Sequence, residues 1–169
     1  VELYLENLTF RTCSNGLQSA LDLGYVGVAN VRNVSIDTGI PWTSMTNNGP
    51  VHPTYGLVMP RNLNGVMNRV ENVCVTGFGT GFNLSEFDGG DMLWAFFCNV
   101  GYEFPGSYHL LHLNNINAQC CVTNLFASAT CTSGADSGFE PINIDSFTYE
   151  NGGPGGNYPA WTTSAYDLV

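Results

Sequence analysis

The chain reads as an all-β protein, its short strands wound into a parallel solenoid (a parallel β-helix) with long loop excursions. Three observations predict this. A six-residue pattern built around Asn recurs from one end to the other. Gly-led apolar tetrads alternate with it at similar spacing. Turn-forming residues are spread throughout, with no sustained helical periodicity.

The pattern is apolar, any residue, Asn, apolar, any residue, apolar. It appears at Leu5–Phe10, Val31–Ile36, Val70–Val75, Phe97–Tyr102, Leu113–Ala118 and Val122–Ala127. With 44% apolar residues, random placement would give about one or two such matches. In one continuous strand, the apolar residue two before the Asn and those one and three after it would face opposite sides. A left-handed corner at the Asn, which Asn tolerates better than most residues, lets all three point inward. Asn7, Asn33, Asn72, Asn99 and Asn124 are the expected corners. Val70, Val73 and Val75 then share the core.

Taken in order, residues 1–39 supply a first circuit and a half, with a turn at Cys13–Gly16 and a short helix over residues 17–23 as the one helical exception. An excursion rich in Gly, Pro and Asn spans residues 37–54 and separates Asn33 from Asn72 by 39 positions. Residues 55–128 are the most regular. Gly56–Met59, Gly81–Leu84 and Gly101–Phe104 each open a strand after a corner that Gly enters cheaply. The last two lie 20 residues apart, about one circuit. Further excursions cover residues 128–139 and 151–161, with a degenerate last circuit at Ile142–Tyr149 between them. The whole is expected to be a single domain over residues 1–169, its circuits running from about residue 5 to 151. Strand character at Val1–Phe10 and an uncapped stop at Tyr166–Val169 suggest a segment of a longer chain, or ends covered by partners.

Composition narrows the function classes. The net charge is −10, there is no Lys, and the cations are Arg11, Arg32, Arg61 and Arg69. Such a chain does not suit phosphate-mediated nucleic-acid binding. A polyanionic substrate such as pectate would need bridging Ca²⁺. The longest apolar run, Met92–Phe97, is far too short to span a membrane. Cys13, Cys74, Cys98, Cys120, Cys121 and Cys131 include no CxxC pair, and His52, His109 and His112 form no metal constellation. Neither metal nor cofactor is expected. The cysteines read as small buried or half-buried thiols, with Cys120 and Cys121 on opposite sides of a strand. A Cys13–Cys131 bridge stays open.

The stretches NVCVTGFGTGFNLSEFDGGD (residues 72–91) and CNVGYEFPGSYHLLHLNNINAQ (residues 98–119) resemble coils of the pectate-lyase-like right-handed β-helix superfamily. Within it they look most like the β-helical regions of bacteriophage tail spikes and tail fibres. The resemblance implies a right-handed, single-stranded β-helix. It also implies a homotrimeric, SDS-resistant virion appendage that sits among other tail proteins and binds, or cleaves, host-surface polysaccharide. A secreted carbohydrate-active protein of cellular origin is the alternative, under which the sequons at Asn7, Asn33 and Asn83 would matter. The Asn-Thr-Asp, Asp-Asp, Gly-His-Gly and Arg-Ile-Lys segments of polygalacturonase-type hydrolases do not occur here.

A glycoside hydrolase needs two carboxyls, about 5 Å apart for retention or about 6.5–9.5 Å for inversion. Glu86 or Asp88 with Glu103 is the one plausible pair, although Ser85–Asp91 also reads as a simple turn with side chains capping backbone amides. Glycan binding instead requires exposed aromatic faces beside planar polar groups. Trp42, Tyr55, Trp94, Tyr108, Tyr158 and Trp161 are the candidates.

Overall fold

The computed structural model describes residues 2–12, 19–39, 55–60, 67–85, 87–104, 111–127 and 142–150. These residues form eleven strands and no helix. They are β1 (Glu2–Arg11), β2 (Ser19–Asp22), β3 (Val28–Asp37), β4 (Tyr55–Val58), β5 (Asn68–Thr76), β6 (Thr80–Asn83), β7 (Asp88–Phe96), β8 (Val100–Phe104), β9 (Leu111–Gln119), β10 (Thr123–Ala127) and β11 (Ile142–Glu150). Odd strands make one sheet, in order β1-β3-β5-β7-β9-β11, and even strands make the other, in order β2-β4-β6-β8-β10. Every pairing is parallel. The chain therefore passes alternately through the two sheets, and each return lays a strand beside its predecessor. A parallel β-helix requires this order.

The expected parity break is present in the long strands. β3 buries Ala29, Val31, Val34 and Ile36, and β5 buries Asn68, Val70, Val73 and Val75. β7 and β9 repeat the same two-three-two spacing. Asn7, Asn33 and Asn72 take positive φ of 57°, 52° and 51°, so each turns the chain as the pattern predicts. They form a ladder: Asn72 Nδ2 donates to Asn33 Oδ1 at 2.9 Å, and Asn33 Nδ2 donates to Asn7 Oδ1 at 3.1 Å.

Asn99 and Asn124 are not such corners. Neither has a positive φ. Asn99 precedes β8, and Asn124 lies within β10, both on the path of the second sheet. The pairs Glu71–Asp91 and Val73–Leu93 set Met92, twenty residues on, beside Asn72, and Met92 adopts φ 53°. Other left-handed residues, Gly77, Phe97 and Cys120, turn the chain out of the long strands. That corner puts both Cys120 and Cys121 inside, rather than on opposite faces.

Gly56, Gly81 and Gly101 are needed for a reason other than the corner expected of them, since none has a positive φ. They stack in one column where the second sheet closes on the first. A Cβ on Gly81 would lie 2.7 Å from the Gly101 carbonyl oxygen, and one on Gly101 would lie 2.8 Å from that of Asn124. Beside this column Phe82 and Tyr102 stack at 5.0 Å and 8°. The Tyr102 hydroxyl crosses the core to lie 2.8 Å from the carbonyl oxygens of both Leu93 and Asn117, which share its one proton. Burying side chains of this size stabilises by about 1.5–3 kcal/mol each.

Two local expectations are corrected. Ser19–Asp22 is strand, where a short helix was expected. Asp88–Asp91 opens β7, where a turn was expected. Gly90 suits the strand because a Cβ there would meet Leu113 Cδ2 at 2.7 Å and Leu93 Cδ1 at 2.8 Å. Each expected excursion lies wholly or mainly outside the described residues.

Candidate functional site

Because the long strands kink at the Asn column, the positions at and two beyond the kink both face outward. On β7 these are Met92, 49% exposed, and Trp94, 40% exposed. Trp94 is steadied from its own strand by Phe96, with ring centroids 6.1 Å apart and planes at 21°. One strand over, the same positions are Asn115 and Asn117, and on β11 they are Ser146 and Thr148. Together they line a groove of about 290 Å³ across three strands of the sheet.

The polar groups of this groove are held in place. Asn115 Nδ2 donates to Asp91 Oδ1 at 2.9 Å, and that amide holds the exposed Asp91 carboxyl below its usual range. Asn117 Nδ2 donates to Thr148 Oγ1 at 2.7 Å. An indole face beside amides and hydroxyls, with no ionisable side chain in the lining, suits an uncharged ligand rich in hydroxyls.

Of the other aromatic candidates, Tyr55 is half-buried at the start of β4, in the opposite sheet from Trp94. Trp42, Tyr108, Tyr158 and Trp161 lie outside the described residues. Sequence reasoning found Trp94 but missed Asn115, Asn117, Ser146 and Thr148 as its neighbours.

The two described carboxyl candidates, Asp88 and Glu103, stand in different sheets. Glu86 lies outside the described residues. Asp88 is fully buried within a polar chain: Ala29 N–H donates to Asn68 Oδ1 at 3.0 Å, and Asn68 Nδ2 donates to Asp88 Oδ1 at 2.9 Å. The Ser85 N–H closes the chain on Asp88 Oδ2 at 2.6 Å. Burial pushes the carboxyl up to about 8, against the lowering effect of the Ser85 amide and Asn68. Glu103 stands in the second sheet, where its Oε2 accepts from Asn83 Nδ2 at 3.0 Å.

The remaining motifs are occupied structurally. His112 Nε2 lies 3.1 Å from Asp145 Oδ2 on the exposed surface, while His52 and His109 are outside the described residues. Among the described residues no group of His, Cys, Asp and Glu could hold a metal. Among the described residues Cys74, Cys98, Cys120 and Cys121 form no disulfide with one another, and Cys13 and Cys131 lie outside the described residues. Of the sequons, Asn33 is tied into the amide ladder and Asn83 is 2% exposed, so neither offers a free amide for glycosylation.

Comparison with models of known protein families finds no match to this chain, and comparisons with curated proteins and with solved structures find none either.

Proposed function

We propose that the chain is one right-handed, single-stranded parallel β-helix domain of a bacteriophage tail spike or fibre, and that its outer face binds host-surface glycan. Strict alternation between two parallel sheets supports the β-helix. Strand–crossover–parallel-strand units are right-handed in nearly all proteins, which supports the hand. The Trp94 groove carries the binding reading, because its exposed indole lies beside fixed amides and hydroxyls with no charge in the lining. In this reading the appendage is a homotrimer, joined to other tail proteins and facing the extracellular medium.

The test is calorimetric titration with capsular and O-antigen fragments, on the parent protein and on Trp94→Ala. Loss of the aromatic platform should weaken binding about tenfold. Equal affinity of the two proteins sinks the assignment to this groove. Failure of every glycan to bind sinks the function. Sedimentation at micromolar concentration tests the assembly, and a monomer there counts against a spike.

A further inference from the structure

A second groove, of about 220 Å³, lies on the same sheet toward β1, and the Trp94 site does not use it. Its walls carry both signs of charge. On the outward column of β1, β3 and β5 stand Tyr4, Asn30 and Arg69; two residues further along the same strands stand Glu6, Arg32 and Glu71. A chain of net charge −10 with four cations in all thus gathers two of them here.

The charges are not mutually satisfied. Arg32 is shared between two carboxylates, 4.0 Å from Glu6 and 3.7 Å from Glu71. That trio keeps one negative charge in excess. Among the described residues Arg69 has no carboxylate within ion-pair distance. The groove therefore offers one unmatched guanidinium and one unmatched carboxylate. These lie two residues apart along the strand, about 6.5–7 Å at the backbone. At the far end the Tyr4 ring is 67% exposed, and its hydroxyl donates to Glu2. From Arg69 to Tyr4 is two strand spacings, about 9–10 Å at the backbone, with the Asn30 amide between.

We propose that this groove is a binding site for a zwitterion the size of one aromatic amino acid. The ligand's carboxylate meets the planar fork of Arg69, which suits bidentate pairing. Its ammonium group meets Glu71, two residues from Arg69 on β5, and its ring lies against Tyr4. A groove of about 220 Å³ is large enough to hold a single ring. A ligand bearing only one charge leaves one wall unmatched, so the groove selects for both charges together. The site does not depend on the glycan reading of the Trp94 groove.

The probe is L-phenylalanine, titrated at low salt into ¹⁵N-labelled protein and followed by amide chemical shifts. Shifts should localise to residues 4–6, 30–32 and 69–71, with a dissociation constant on the order of 1 mM. N-acetyl-L-phenylalanine lacks the ammonium and L-phenylalaninamide lacks the carboxylate. Each should bind about three- to tenfold more weakly. Arg69→Gln should abolish the preference for phenylalanine over its amide while leaving the preference over the N-acetyl compound. Glu71→Gln should do the reverse. The ligand series on the unsubstituted protein needs neither variant to fold. The proposal is overturned if the three compounds bind equally, if shifts appear elsewhere, or if none binds at 10-fold the expected constant.

Discussion

Replacing Asp88 by Asn keeps the shape of a fully buried side chain but removes its charge and one of its two acceptors. In the native protein burial raises this carboxyl from 3.8 to about 8. A carboxyl whose folded pKa lies above its unfolded one binds more protons when folded. Its contribution to stability is therefore full below about pH 4 and is lost as pH rises through the window up to about 8. Each pH unit inside that window is worth about 1.4 kcal/mol. From pH 5 to pH 7 the parent should lose on the order of 3 kcal/mol through this one group. The Asn variant has no such slope but has a donor conflict. Ala29 N–H points at Asn68 Oδ1 and Asn68 Nδ2 points at residue 88, so the neighbouring amide cannot turn over to relieve it. That conflict should cost about 1–3 kcal/mol. Asp88→Asn is thus expected to be less stable than the parent at pH 5 and equal to it or better by pH 8. Urea denaturation, followed by tryptophan fluorescence at four pH values across this range, measures both curves. If they stay parallel, Asp88 does not titrate as argued and the reasoning fails.

Two further substitutions test the columns on which the sheets are built, and a third serves as their control. Met92→Asn places an amide-bearing side chain at φ 53°, beside Asn72 at the end of the ladder. It should stabilise by about 1 kcal/mol, since Asn tolerates the left-handed region and can donate to Asn72. A lower melting temperature would contradict this. Gly101→Ala should destabilise by about 1–3 kcal/mol or more, because the new Cβ meets the Asn124 carbonyl at 2.8 Å and that backbone is fixed by the sheet. Gly89→Ala makes only ordinary contacts, with Met67 Cε at 3.5 Å and the Asn68 carbonyl oxygen at 3.6 Å, and thermal melts should place it within about 0.5 kcal/mol of the parent.

How far the sequence can be read depends on what each residue's conformation is for. Asn7, Asn33 and Asn72 were legible because a left-handed corner between inward apolar residues leaves a parity signature in the chain itself. The same signature misleads at Asn99 and Asn124, since the bends of the second sheet also set apolar residues around a polar one. There a glycine column reaching Asn124 is fixed by close backbone approach, which no local pattern encodes. The 20-residue step from Gly81 to Gly101 is the register of β6 on β8, and it was readable because no loop intervenes. The Trp94 groove was only partly readable. Trp94 is recognisable as an aromatic, but Asn117 lies 23 residues away and Thr148 a further 31. Those steps depend on loop lengths that vary from circuit to circuit. Asp88 misled differently: Asp-Gly-Gly-Asp resembles a turn, yet Gly90 is there to admit Leu93 and Leu113.

The amide ladder has a direction. Asn72 gives to Asn33 and Asn33 gives to Asn7, so the three side-chain dipoles align head to tail along the stacking axis. In such a chain the middle member polarises both neighbours, and its loss breaks two bonds where an end member's loss breaks one. Sensitivity to substitution is then set by rank within a column, and the middle member, Asn33, is also the half-buried one, with Asn7 and Asn72 exposed. Met92 is where this one-dimensional order stops, for a thioether cannot donate to Asn72. The outer surface is thereby divided into a hydrogen-bonded amide tract on one side of β7 and an aromatic groove on the other, with a single residue as the boundary.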